Sequence, residues 1–234
     1  MPKLLIVKTG TTDPPVVAVH GDYDDWFKRN LQPFAITWTT VSIFEEAPLP
    51  DPRDFDGILI TGSPSSVWEN QPWMKRTLPW LKNLCHTQST PVLAVCFGHQ
   101  ILAHALGAEV CPNPKGAEIG TIEMQLTPSG QTDPLFAQLP QPFSIQSIHK
   151  DIVSALPSLC HPHLLAHTEN TAIQAFAVGK MIRAVQFHPE LCAQTLSLLV
   201  QVRQLDAKVH TTPYGTQILH NWYTHWIAPQ NNHT

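Results

Sequence analysis

The sequence predicts an α/β fold, a doubly wound and mostly parallel sheet flanked by helices, with antiparallel additions toward its C-terminal half. Three observations carry that expectation. Short apolar runs alternate with stretches of helical periodicity along the chain. The apolar run Val92 to Val95 turns into a helix at a single residue, Cys96. Ala184, Val185 and Phe187 mark a further strand that stops at Pro189, placing His188 at its C-terminal end.

The elements follow in order. Residues 4–7 (LLIV) read as the first strand, 24–31 as the first helix, and 34–38 and 57–60 as the second and third strands. Residues 72–84 read as a helix with Trp73, Leu78, Leu81 and Leu84 on or near its apolar side, and Pro79 predicts a kink or break within it. After the strand 92–95, Phe97, Ile101, Leu102, Ala105 and Leu106 recur at helical spacing. Residues 119–126, 143–148, 172–178 and 181–186 read as sheet, the last two joined by a hairpin turn at Gly179-Lys180. A helix is expected from Glu190 roughly to Leu205. Segments 11–21 and 45–55, rich in Pro and Asp, read as loops, as does 127–142. A single domain is expected over 1–228, with 229–234 (PQNNHT) a disordered tail.

The junction at Cys96 is a nucleophile elbow in pattern. Such a turn is tight, so its flanks must be small, and Ala94 and Gly98 stand two residues to either side. The helix that follows aims its N-terminal N–H groups at the sulfur and favours thiolate over thiol. A buried, inert Cys in an apolar strand is the plainer alternative. His188, 92 positions downstream in QFHPE, shifts the balance. Functional groups of open parallel sheets gather at the carboxyl ends of strands, the same edge that carries the elbow. A Cys nucleophile needs a base, and the base needs a third group to fix its tautomer. Cys96, His188 and Glu190 supply those three roles. Taken singly, His188 is one of 13 His and Glu190 could merely favour a helix N-terminus by its charge.

Phe97 supplies one oxyanion donor through its amide, because the elbow fixes that N–H beside the nucleophile. Thr61-Gly62-Ser63 follows a buried strand and is the expected source of a second donor, although Gly62 could instead serve only a tight turn. Gln100 lies one helical turn after Cys96, on the cleft or on an ordinary helix surface. His149 is a rival base whose position is poorer than that of His188, and His99 and His104 are assigned to packing or surface. Cys160 to His163 (CHPH) has no second pair at zinc spacing and reads as a polar loop, so no metal is expected.

These segments carry a family resemblance. VCFGHQ (95–100) and FHPE (187–190) resemble the two signature segments of the class I, or triad, glutamine amidotransferases. GILITGSP (57–64) is similar to the family's oxyanion strand and loop, and SIHKD (147–151) to its Ser-x-His-x-Asp-like segment. The start of the chain is more similar to free-standing members than to the amidotransferase domain of GMP synthase. The resemblance implies a flavodoxin-like three-layer fold and release of ammonia from glutamine through a γ-glutamyl thioester on Cys96, without cofactor. It implies Gly62 as the second oxyanion donor, Gln100 as a holder of the substrate's amino and carboxylate end, and Ser147, Ile148 and His149 as lining the glutamine pocket. For the last three a solvated loop is the competing reading.

Three functions remain open on the sequence: a glutaminase supplying a separate synthetase, a stand-alone γ-glutamyl hydrolase or peptidase, and a non-catalytic binding or regulatory module. The intact Cys-His-Glu set counts against the third. No phosphate-binding glycine loop marks an ATP site of the chain's own. At 234 residues with 43% apolar content, the chain can bury a core. A net charge of -4 gives no basic footprint for nucleic acid. No apolar run approaches the roughly 20 residues of a membrane-spanning helix, and the N-terminal run falls short of the about 7–15 that a signal peptide needs. Five Cys without a C-x-x-C pair suggest reduced thiols in the cytoplasm.

Overall fold

The computed structural model describes residues 1–156 and 158–228; the expected tail 229–234 lies outside them. The strands are β1 (Lys3–Lys8), β2 (Thr37–Ser42), β3 (Gly57–Ile60), β4 (Val92–Val95), β5 (Val110–Pro112), β6 (Glu118–Leu126), β7 (Phe143–His149), β8 (Asp151–Val153), β9 (His163–His167), β10 (Ala175–Val178) and β11 (Ile182–Val185). The helices are α1 (Pro14–His20), α2 (Tyr23–Asn30), α3 (Pro72–Thr87), α4 (Phe97–Ala105), α5 (Pro128–Thr132), α6 (Ala193–Val202) and α7 (Tyr214–Trp222). A nine-stranded sheet runs in the order β2-β1-β3-β4-β11-β10-β9-β6-β7. Its first five strands are mutually parallel and the pairings beyond β11 are antiparallel. β5 and β8 form a separate two-stranded ribbon.

The parallel strands are apolar throughout because both faces of the sheet are covered. Leu4 and Ile6 of β1 face one way, with Phe27 and Leu31 from α2 and its C-terminal cap and Ile218, Leu219 and Trp222 of α7. Leu5 and Val7 face the other, among Trp73, Met74, Leu81 and Leu84 of α3 and Phe97, Ile101 and Leu102 of α4. Two cores on opposite faces make the expected three layers.

Several boundaries depart from expectation. The second strand lies at Thr37–Ser42 rather than at 34–38, because Phe34 leaves the sheet to stack on Tyr223 at 3.9 Å. As an edge strand, β2 shows only a faint burial pattern. Residues 11–21 are not all loop, since Pro14 and Pro15 open α1, where a first-turn proline forfeits no hydrogen bond. Pro79 does not end α3, which runs on to Thr87 with Trp73, Met74, Thr77, Leu81, Leu84 and Cys85 buried along one side. That packing outweighs a proline cost of about 3 kcal/mol. Segment 127–142 contains α5 and a 3-10 turn, Pro134–Phe136. The helix expected from Glu190 begins at Ala193 and ends at Val202, leaving Glu190 in the preceding turn.

Candidate active site

β4 ends at Cys96, whose backbone has φ 52 and ψ −104, a conformation an L-residue adopts only when its surroundings enforce it. Its amide donates to the Val185 carbonyl at 2.8 Å, and the Gly98 amide donates to the Thr61 carbonyl at 3.1 Å. A Cβ on Gly98 would lie 2.7 Å from the Ile60 carbonyl oxygen, so only glycine lets α4 leave the strand this closely. The thiol of Cys96 stands at the N-terminus of α4, 7% exposed, on the wall of a cleft of about 560 Å³.

β11 is the parallel neighbour of β4, and the chain beyond its end carries His188 to the same edge. The His188 amide donates to the Gln146 carbonyl at 2.8 Å, which ties the segment to β7. Nδ1 of His188 lies 2.7 Å from Glu190 Oε1, and the ring's other side hydrogen-bonds Cys96. Both side chains are buried. Burial opposes the imidazolium, but the Glu190 carboxylate and then Cys96 outweigh it and lift His188 to about 10. Tyr23 is buried beside this group, and burial pushes its phenol above the usual range.

The loop after β3 closes over the pair. A Cβ on Gly62 would come 3.1 Å from His188 Cε1 and 3.7 Å from Cys96 Cβ. Thr9, in the loop after β1, orients this peptide by donating from Oγ1 to the Gly62 carbonyl at 2.8 Å. The Phe97 amide belongs to the first turn of α4, where a helix offers no internal acceptor. Gly62 and Phe97 therefore both adjoin Cys96.

Gln100 is buried and lines the cleft, donating from Nε2 to the Asp151 carbonyl at 2.9 Å and to Gln186 Oε1 at 3.1 Å. Gln186 in turn presents Nε2 to Cys96 Sγ at 3.6 Å. Ile148 and His149 also line the cleft, whereas Ser147 is buried beneath it and donates to the Glu118 carbonyl at 3.1 Å. His149 is tied on both ring nitrogens, Nδ1 to the Asp151 carbonyl and Nε2 to Glu118 Oε2, each at 3.1 Å. Asp151 accepts a short hydrogen bond from Ser66 Oγ.

His99 is a packing residue, fully buried against Phe176, and burial drives its pKa down to about 3. His104 stays on the exposed side of α4. Glu118, Gln186, Asp13 and Arg203 were not legible as site residues, since each is joined to the cleft by distant pairing. For Glu118 and Gln186 the available signal was a polar residue at the edge of an expected strand, whereas Asp13 fell in an expected loop and Arg203 in an expected helix. Among the described residues no group of three or more His, Cys, Asp or Glu is placed to hold a metal ion. No helix among them is long and apolar enough to cross a membrane.

Residues 21–200 match the family model of the class I glutamine amidotransferases. The chain belongs to that family. It is 29% identical over 212 residues to a glutamine amidotransferase-like protein of Schizosaccharomyces pombe, covering 85% of this chain and 83% of that protein. It is also 29% identical over 184 residues to a glutamine-hydrolysing GMP synthase of Thermotoga maritima, covering 77% of this chain but 30% of the synthase. Gamma-glutamyl peptidase 3 of Arabidopsis thaliana is 26% identical over 200 residues, 83% of this chain and 78% of the peptidase. In fold the chain resembles a glutamine amidotransferase of Methylobacillus flagellatus, with a TM-score of 0.76 at 20% identity over 97% of this chain and 94% of the other. Such neighbours share its flavodoxin-like, three-layer arrangement.

Proposed function

We propose that this amidotransferase is a glutaminase-type hydrolase that releases ammonia from glutamine, or an amine from a γ-glutamyl compound, through a thioester on Cys96. The carrying observation is His188 held between Cys96 and Glu190, with Nδ1 2.7 Å from the carboxylate. Sγ attacks the γ-carbonyl carbon, and the Phe97 and Gly62 amides receive the oxyanion. The imidazolium of His188 gives its proton to the departing nitrogen as the C–N bond breaks. The neutral imidazole then takes a proton from water, whose oxygen attacks the thioester and frees glutamate and the thiol. Gln100, Ile148 and His149 bound the pocket for the γ-glutamyl head, with Ser147 supporting them from below. This chemistry needs a reduced thiol, which suits the cytoplasm, and residues 1–228 as one catalytic unit.

A separate ammonia-accepting synthetase is the partner that a second reading requires. Similarity to a glutamine-hydrolysing GMP synthase favours it, and stimulation of turnover by an added synthetase is its test. For the reading itself, Cys96→Ala and Cys96→Ser variants are assayed for glutamate and ammonia release beside their melting temperatures. Turnover should fall below about one thousandth of wild type with the fold intact. Retained turnover in a folded variant overturns the assignment.

A further inference from the structure

Arg203 caps α6 and stands on the wall of the cleft, where Asp13 at the N-terminus of α1 holds it. Nε and Nη2 of the guanidinium both converge on Asp13 Oδ2, at 2.8 and 2.7 Å. Tyr23 supplies a further hydrogen-bond partner. Asp13 thus fixes the side chain through one carboxylate oxygen without engaging Nη1, and Arg203 remains 27% exposed. A guanidinium carries five N–H donors and prefers planar, paired acceptors such as a carboxylate.

The position of this cation relative to the reacting bond matters. Beside the main cleft, a recess of about 20 Å³ is lined by His188 together with Tyr23, Trp26 and Leu191. Ser63, Cys96, Ile148 and Arg203 line both spaces. His188 protonates the departing nitrogen, so the leaving group lies on the His188 side of the sulfur. The recess has room for about one water-sized group. Any larger substituent on that nitrogen therefore extends into the wider cleft along the Arg203 wall. Gln100, His149 and Asp151 line the main cleft but not the recess, which leaves that side for the γ-glutamyl head.

We propose that Arg203, set by Asp13 and Tyr23, is a leaving-group subsite that selects γ-glutamyl substrates whose departing amine carries a carboxylate, that is, γ-glutamyl amino acids and short γ-glutamyl peptides. This rests on the hydrolase reading above and names its substrate class. Ammonia leaving from glutamine offers no anion for Arg203 to meet, whereas an amino acid presents its carboxylate close to the departing nitrogen. The balance is hydrolytic. The Sγ–C bond forms and the C–N bond breaks, and the nitrogen leaves with the His188 proton as the free amino acid or peptide. Water then converts the thioester to glutamate.

The experiment compares kcat/KM for γ-glutamylglycine, γ-glutamylglycinamide and glutamine, on wild type and on Arg203→Met. The wild type should prefer the acid to its amide by about 10- to 100-fold, the range lost when a hydrogen-bonded charge pair is removed. Arg203→Met should bring that ratio close to one, mainly through KM for the acid. Equal wild-type rates on acid and amide overturn the proposal, as does a ratio that survives Arg203→Met. Should Arg203→Met fail to fold, the wild-type ratio alone decides. Cys96-dependent turnover without an acid-over-amide preference sinks the subsite and spares the hydrolase, whereas Cys96-independent turnover sinks both.

Discussion

Glu190 Oε1 lies 2.7 Å from His188 Nδ1, with both side chains withdrawn from solvent on a turn that Pro189 keeps out of helix α6. A carboxylate there fixes the ring with its Nδ1–H toward Glu190, so that Nε2 serves Cys96. Glu190→Gln keeps the shape and removes the charge. We expect kcat to fall by about 10²- to 10⁴-fold, with a smaller change in KM. An unaltered kcat in steady-state assays would show that the carboxylate does not orient the base.

The same contact ties stability to alkaline pH. The folded-state pKa of His188 is raised to about 10 from 6.5, chiefly against burial by Glu190. A raised pKa contributes stability that is fully present below pH 6.5 and is lost as pH climbs toward about 10. Without the Glu190 charge, only Cys96 is left to oppose burial at the imidazole, and most of this contribution goes. The melting temperature of wild type should therefore drop more between pH 6.5 and 10 than that of Glu190→Gln. Parallel melting curves across that window would contradict it.

Gly98 tests the elbow. An alanine Cβ would meet the Ile60 carbonyl oxygen at 2.7 Å and the Ile60 side chain at 3.0 Å, both set in the sheet interior. Relief requires α4 to shift away from β3, taking the Phe97 amide and Cys96 with it. Gly98→Ala should cost about 1–3 kcal/mol, typical of an overpacked core. At the scaling of a chain this size that lowers the melting temperature by roughly 2–12 °C. Activity should fall further than stability explains, because the oxyanion donor moves with the helix; a wild-type kcat in the folded variant argues against that coupling.

What the sequence made legible follows from distance along the chain. β3 and β4 match their expected limits because strands buried on both faces read as unbroken apolar runs. Cys96 and His188 stood out because local breaks, glycine after one and proline after the other, mark where strands end. α7 and the ribbon of β5 and β8 escaped, the former lying in a segment with no periodic reading and the latter being three-residue strands. Glu118 was invisible as a partner of His149, since their contact is made by the antiparallel register of β6 and β7, 31 residues apart. Arg203 was hidden for the same reason, with its aspartate 190 positions away.

That β6–β7 contact yields the last prediction. Glu118 accepts from His149 Nε2 and Gln174 Nε2 on Oε2, and from Thr168 Oγ1 on Oε1 at 2.7 Å. The other nitrogen of His149 faces the Asp151 carbonyl, so the ring is held between two oxygen partners under the cleft. Burial would favour the neutral acid of Glu118, but His149 and Thr168 outweigh it and keep the carboxyl below its ordinary value. A depressed carboxyl contributes stability present above about pH 4.5 and lost as pH falls through its folded value. Glu118→Gln turns one acceptor into a donor aimed at donors, which should cost about 1–3 kcal/mol at pH 7. The deficit should shrink as pH is lowered below about 4.5, where wild type loses the same charge. With His149 anchored only through Nδ1 to the Asp151 carbonyl, KM for a γ-glutamyl substrate should rise more than kcat falls. Urea unfolding at pH 7 and pH 4, beside steady-state kinetics, separates these effects, and a pH-independent deficit with unchanged KM would leave Glu118 a packing residue alone.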